Sequence, residues 1–389
     1  MSEARLPWRV PAALAVTQVV QWGTLFYSFS LLMPAIIGET GWGKEVVVGA
    51  FSAGLLAEAG AAMLVGWLLD RVGARWVMTA GSLASAAGLW LAGQIGTVWQ
   101  LYAAWILIGA TMPAALYQAA FAAVTTAFGA GEARRGIAVV AFAGGLASTV
   151  FWPATGLLVQ VLGWREACSA LAAMNLACAL PHLLMPGAAS PVPGAQDSAT
   201  ARGVPRWSFS ALICVYAAMG VASATIAVHL VPLLQDKGLG SSAALLASLV
   251  GCAQVAGRLM EFAAGARLSL RAVTALALTG VGTAFAALAL GQTAAVLGIA
   301  LILYGAANGV LTIMRGALPA HLFDTRRYGS VSGVLSAANA VARAAGPVAI
   351  AWSWESTGGY ASGMMAVAVL CLGAIILLWA AMAALEPAL

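Results

Sequence analysis

Apolar residues fill this chain in blocks of about twenty, each long enough to cross the hydrocarbon of a bilayer as a helix. Glycines, prolines and charge clusters separate the blocks. The pattern predicts twelve helices, at 9–37, 46–70, 76–96, 99–127, 136–162, 164–186, 208–235, 241–265, 271–291, 293–322, 329–353 and 360–385. One long polar stretch, Gly187 to Trp207, divides them into two groups of six. The expected organisation is a six-helix bundle over 1–186, a cytoplasmic central loop over 187–207 and a second six-helix bundle over 208–389. The fold class is thus an all-α membrane protein.

Composition sharpens this. Of 389 residues 62% are hydrophobic and 8% charged, against roughly 25% charged in a soluble chain. So little charge cannot coat a water-facing surface, which excludes a soluble enzyme, a nucleic-acid binder and a disordered scaffold. The net charge of +5 is a matter of position. Arg5, Arg9, Arg71, Arg75, Arg134, Arg135, Arg202, Arg206, Arg267, Arg271, Arg326 and Arg327 fall before the first span or in even-numbered loops, whereas Lys44, Arg165 and Lys237 fall in odd-numbered ones. By the positive-inside rule both termini are expected in the cytoplasm. The basic balance is a topology signal and gives no support to nucleic acid.

Cys168, Cys178, Cys214, Cys252 and Cys371 are scattered in apolar spans, and His182, His229 and His321 are equally dispersed. No metal site and no cofactor is expected from them. HExxH, GxSxG and a phosphate-binding glycine loop are absent. The chain does not read as an enzyme.

Five acidic or basic residues lie well inside the expected spans, away from their ends: Glu58, Arg258, Glu261, Arg315 and Arg343. Each costs roughly 2.5–3.5 kcal/mol to insert, so each is expected to be functional or paired and to face the interior. Neighbouring polar residues recur at steps of three and four. Span eight carries Gln254, Arg258 and Glu261; span ten carries Tyr304, Asn308, Thr312 and Arg315. Span eleven carries Ser332, Ser336, Asn339 and Arg343, and span one carries Thr17, Gln21, Thr24 and Ser28. In span four Thr111, Gln118 and Thr125 share a face, with Tyr117 beside them. Single polar stripes on apolar helices are what a water-filled cavity requires. Three arginines against two glutamates leave that interior with a surplus positive charge, which attracts anions. Arginine's planar fork suits a carboxylate. At Arg258 an i,i+3 ion pair with Glu261 remains the structural alternative, and Glu58 reads equally as a proton carrier or a fixed counter-ion.

The loop after span two reads Gly66-Trp-Leu-Leu-Asp70-Arg71-Val-Gly73-Ala-Arg75. This resembles the G-x-x-x-D-R-x-G-x-R signature of the major facilitator superfamily, found between its second and third helices. The two halves also echo each other. A shift of 196 lays Arg75 on Arg271, Arg71 on Arg267 and Glu58 on Gln254; Ala266 stands where Asp70 would map. The resemblance implies two pseudo-symmetric six-helix halves with substrate near mid-membrane. It also implies a secondary transporter working by alternating access. Gly66, Asp70, Arg71, Gly73 and Arg75 would form a conformational latch, with Asp70 and the arginines ion-paired to a neighbouring helix.

Arg258, four residues after Gln254, resembles the arginine and preceding acid of the monocarboxylate porter branch. Cations in spans eight and eleven, Arg258 and Arg343, resemble the bacterial oxalate–formate exchanger, which has lysine at the second. The expectation is a multi-pass transporter of the bacterial inner membrane, monomeric, moving a small organic anion with protons. Arg258, Arg343, Arg315, Gln254, Asn308, Tyr304, Tyr117 and Gln21 would bind substrate, and Glu58 or Glu261 would carry the proton. The alternative is a proton-driven efflux carrier for drugs, metal complexes or arsenicals. Trp152 and Ala143, where the drug-antiporter branch has glycines in span five, argue against it.

Overall fold

The computed structural model of the chain describes residues 8–185, 206–239, 242–264, 267–323 and 327–385. Residues 187–205 of the central polar stretch, Arg326 and Ala266 lie outside the described residues. The elements are α1 (Arg9–Trp22), a π-helical turn (Gly23–Tyr27), α2 (Phe29–Thr40), α3 (Lys44–Val72), α4 (Ala74–Gly93), α5 (Val98–Ala115), α6 (Tyr117–Gly145) and α7 (Ala147–Leu162). They continue with α8 (Trp164–Leu183), α9 (Arg206–Asp236), α10 (Ser242–Ala264), α11 (Leu270–Leu290), α12 (Ala294–Leu322), α13 (Tyr328–Thr357) and α14 (Ala361–Leu385). No strand occurs among the described residues. Within α6, Tyr117 Oη donates to the Ala141 carbonyl at 3.1 Å. Straight helix would hold residues so spaced about 36 Å apart. The chain therefore doubles back, leaving two arms that belong to the stretches Val98–Phe128 and Ala133–Leu162.

Among the described residues, helix falls within each stretch that the hydrophobic pattern marks. Among the described residues nine helical stretches are long and apolar enough to cross a membrane. Those that fall short are α4, α8 and α10, and composition explains it. They carry Ser82 and Ser85, Asn175 and His182, and Gln254, Arg258 and Glu261 respectively.

The chain divides into two compact units, Met1–Val192 with Pro319–Ala337 and Pro193–Leu318 with Ala338–Leu389. In the first, α3 packs on α5, α4 on α5 and α8, and α1 on α6. A Cβ built on Gly109 would overlap the backbone of Gly54, so α3 and α5 touch through glycine. In the second, α14 packs on α9 and α11, and glycines again set the closest approaches: Gly257, Gly305 and Gly309 bring α10 and α12 backbone to backbone. Small residues are how helices come this close in a membrane, where no hydrophobic force drives them together.

Charged side chains finish two helices. Arg165 Nη1 donates to the carbonyls of Gly93 (3.0 Å) and Ile95 (2.8 Å) at the end of α4. Lys237 Nζ donates to those of Ala289 (3.2 Å) and Gly291 (2.7 Å) at the end of α11. A cation on the orphan carbonyls of a helix C-terminus is favourable. Two of the three cations that break the charge asymmetry are therefore helix caps.

Candidate functional site

The turn between α3 and α4 is one residue long. Gly73 takes φ +81°, a left-handed value open to glycine at little cost, and it ends one helix and starts the next. Asp70, on the last turn of α3, accepts from the backbone N–H of Gly329 (Oδ1, 2.6 Å) and of Ser330 (Oδ2, 2.7 Å). These are first-turn donors of α13, where an anion meets both free N–H groups and the helix dipole. A Cβ on Gly66 would overlap the Gly329 carbonyl, and one on Gly333 would lie 2.6 Å from that of Ala62. All of these residues belong to the first unit.

The expected ion-paired latch takes another form. Asp70 binds backbone, and among the described residues neither Arg71 nor Arg75 is ion-paired. Arg71 lies over the Trp67 ring at 4.2 Å and Arg75 over Trp76 at 5.1 Å. The aspartate had donors on offer from a helix end, which carry no side-chain signature.

In the second unit, α10 presses its Gln254–Arg258 stretch onto α12, with the Gln254 backbone against Gly309 and Gly257 against Ala306. Arg258 is buried, 6% exposed, and so is Glu261 at 5%. Nε and Nη1 of Arg258 are shielded from solvent and have no hydrogen-bond partner among the described residues. The pair with Glu261 that the i,i+3 spacing allows is thus not made by either nitrogen. Glu261, Glu58 and Arg343 each interact with neighbouring groups. Glu58, Arg343, Gln254 and Asn308 are half-buried.

Arg315 belongs to a closed ring of bonds across α9, α12 and α13. Its Nη1 donates to Asn339 Oδ1 (3.2 Å), Asn339 Nδ2 donates to the Tyr216 carbonyl (2.8 Å), and Tyr216 Oη donates to the Arg315 carbonyl (2.6 Å). Stripe periodicity flagged Arg315 and Asn339 but not Tyr216. Tyr304 is enclosed, edge-on to Phe285 at 5.9 Å. His229 Nε2 donates to the Pro347 carbonyl at 2.9 Å and its ring packs on Tyr360.

The span-one stripe meets protein. Gln21 Nε2 donates to Ser82 Oγ (2.9 Å), which lies 2.9 Å from His182 Nδ1, while His182 Nε2 lies 3.0 Å from Thr17 Oγ1. Asn175 Nδ2 donates to Thr24 Oγ1. Ser85 and Thr111 share a bond of 2.7 Å. All of these side chains are buried. The stripe therefore faces α4 and α8, not the water-lined face expected of it, and Gln21 is committed to Ser82. Periodicity told that one face was polar; the partners, one or two per helix, were too sparse to read. Tyr117, half-buried, stacks on Phe121 at 4.9 Å and stands 4.9 Å from Trp22. Among the described residues no cluster of three or more metal-ligating side chains occurs.

Long apolar helices joined by glycine contacts, with charge confined to ends and a few buried positions, define a multi-pass membrane protein. A profile of the Major Facilitator Superfamily matches residues 15–347. The chain belongs to that superfamily and is a transporter, not an enzyme. Its fold is shared with the human organic anion transporter MFSD10 (TETRAN), at TM-score 0.80 and 20% identity over 96% of this chain and 99% of that one. The same holds for FucP in its outward conformation, at TM-score 0.77 and 13% identity over 95% and 98%. The proton:xylose symporter XylE follows at 0.75 and 13% over 96% and 95%. No curated protein matches the chain.

Proposed function

We propose that this transporter moves a small organic anion, a carboxylate, by alternating access with proton coupling. The observation that supports it is Arg258: a cation 6% exposed, with two nitrogens that find no partner among the described residues. Removing a guanidinium from water without pairing it is strongly unfavourable. Such a group gains most from an incoming anion, and its fork accepts both oxygens of one carboxylate. Gln254, one turn before it on α10, and Asn308 on α12 are the neighbouring polar groups suited to shape the pocket, and Arg343 is the second cation. Arg315, held by Asn339, contributes positive potential. Tyr304 and Gln21, enclosed as they are, act by packing; Tyr117 offers its ring. Glu58 or Glu261 carries the proton.

The chain is further proposed to cross the membrane twelve times with both termini in the cytoplasm, as a monomer in a bacterial inner membrane. In this reading α4, α8 and α10 span with their polar groups turned inward. Asp70, seated on the N-terminus of α13, holds one state of the cycle, with Gly66 and Gly73 permitting the contact and Arg71 and Arg75 anchoring the turn.

Uptake of labelled monocarboxylates, dicarboxylates and cationic dyes into proteoliposomes, with and without an inward proton gradient, tests the proposal. Gradient-driven anion entry that Arg258→Gln abolishes is the expected result. Dye movement without anion movement, unchanged in Arg258→Gln, would overturn it.

A further inference from the structure

The first unit holds a second irregularity that neither the latch nor the polar network uses. The helical stretch that begins with α1 loosens at Gly23–Tyr27 into a π-helical turn, where Ser28 N–H reaches back five residues to the Gly23 carbonyl at 2.9 Å. Facing it, the stretch from α5 to α6 breaks at Leu116, whose backbone is extended (φ −90°, ψ −158°). The break leaves the Ala115 carbonyl without its helical donor, and Gln18 Nε2 supplies one at 2.7 Å. Two neighbouring helices thus depart from regularity at one level. Non-helical backbone at membrane depth survives only where protein or a cavity receives it, and π-turns concentrate at functional positions.

What the two irregularities bring together is aromatic. The wider π-turn places both the i+4 and i+5 rings against Trp22: Phe26 at 5.6 Å and Tyr27 at 6.4 Å. The break starts α6 at Tyr117, whose ring stands 4.9 Å from Trp22 and stacks on Phe121 at 4.9 Å and 10°. Trp22, Phe26, Tyr27 and Tyr117 are each only half-buried. The indole Nε1 of Trp22 is shielded yet has no hydrogen-bond acceptor among the described residues. Buried indole N–H groups ordinarily find one. Trp105 Nε1 is also unpartnered, but that ring is 1% exposed and sealed in the core, beyond reach of any ligand.

We propose that this cluster is a ligand subsite for a flat aromatic ring carrying a hydrogen-bond acceptor. The rings of Trp22 and Tyr117 stack on or abut the ligand's ring, and Trp22 Nε1–H donates to its acceptor. The subsite supplies only the ligand's ring; the ligand's charge rests on the anion reading above, and the class to test is aromatic monocarboxylates against short aliphatic acids.

Equilibrium binding to the purified full-length protein tests this, with 4-hydroxybenzoate, benzoate, acetate and the neutral 4-hydroxybenzamide as probes. The subsite predicts that both aromatic acids bind roughly tenfold or more tighter than acetate. Trp22→Leu removes that advantage and leaves acetate unchanged. Trp22→Phe keeps the ring but erases the preference for 4-hydroxybenzoate over benzoate. Tyr117→Leu serves as an independent variant should Trp22→Leu not yield folded protein, judged by gel filtration. Arg258→Gln weakens all three acids and spares the amide. If no acid binds but the amide does so in a Trp22-dependent way, the aromatic subsite stands and the anion reading falls. Equal binding of acetate and benzoate, a proportional loss of both in Trp22→Leu, or binding of neither aromatic acid nor amide overturns the subsite.

Discussion

Two buried clusters, one from each unit, hold polar groups in different ways. In the first, Thr17, Gln21, Ser82 and His182 bond to one another, as do Thr24 and Asn175, across α1, α4 and α8. In the second, Arg258 carries a full charge into a 6% exposed position and leaves two nitrogens without a partner among the described residues. Satisfied networks hold helices in register; an unsatisfied charge is a standing cost that a ligand can remove. Burial of polar residues is common to both units. An unpartnered charge, rather than burial itself, is what sets Arg258 apart.

Substitutions can break this contrast. The largest expected effect is at Arg258: Arg258→Met should cut anion transport by about a hundredfold or more, the scale of a charge-assisted pair worth roughly 3 kcal/mol. Next comes His182→Ala, which removes the bonds to Ser82 and Thr17 and leaves a cavity where the buried ring stood, and should destabilise the protein by about 2–3 kcal/mol. Transport by the fraction that folds should change little, which thermal unfolding and uptake assays together would check. Asp70→Ala removes the acceptor for two first-turn N–H groups of α13 and should cost about 1–2 kcal/mol. Hydrogen exchange at Gly329 and Ser330 should rise in that variant while that of α8 stays protected. The smallest effect is expected at Arg165→Met. Its ion pair with Glu39 at 3.0 Å is open to solvent and contributes little, and the lost cap on α4 adds only a small further cost.

How far the sequence foretold this follows the same division. Helix positions were legible because twenty-residue apolar blocks and glycine punctuation are local. Gly66, Asp70 and Gly73 were legible as a unit because the signature is local as well. The partner of Asp70 was not, since the backbone N–H groups of Gly329 and Ser330 look like any others until the fold places them about 260 positions away. The span-one stripe was legible as polar, yet periodicity says nothing of what a face meets, and Ser82 and His182 met it. Tyr216 escaped notice because its carbonyl and hydroxyl close a ring whose other members lie on α12 and α13. The aromatic cluster was hidden most completely. A π-turn at Gly23 and a break at Leu116 leave no mark in the hydrophobic pattern.

The central claim is that Arg258 is buried for a ligand and not for the fold. Thermal unfolding of the wild type and Arg258→Met, each with and without saturating 4-hydroxybenzoate or benzoate, tests it most directly. Removing an unpaired buried charge should leave the unliganded variant as stable as the wild type or more so. The anions should raise the melting temperature of the wild type alone. An Arg258→Met protein that is markedly less stable without ligand, and still stabilised by the anions, would contradict the account and make Arg258 a structural residue.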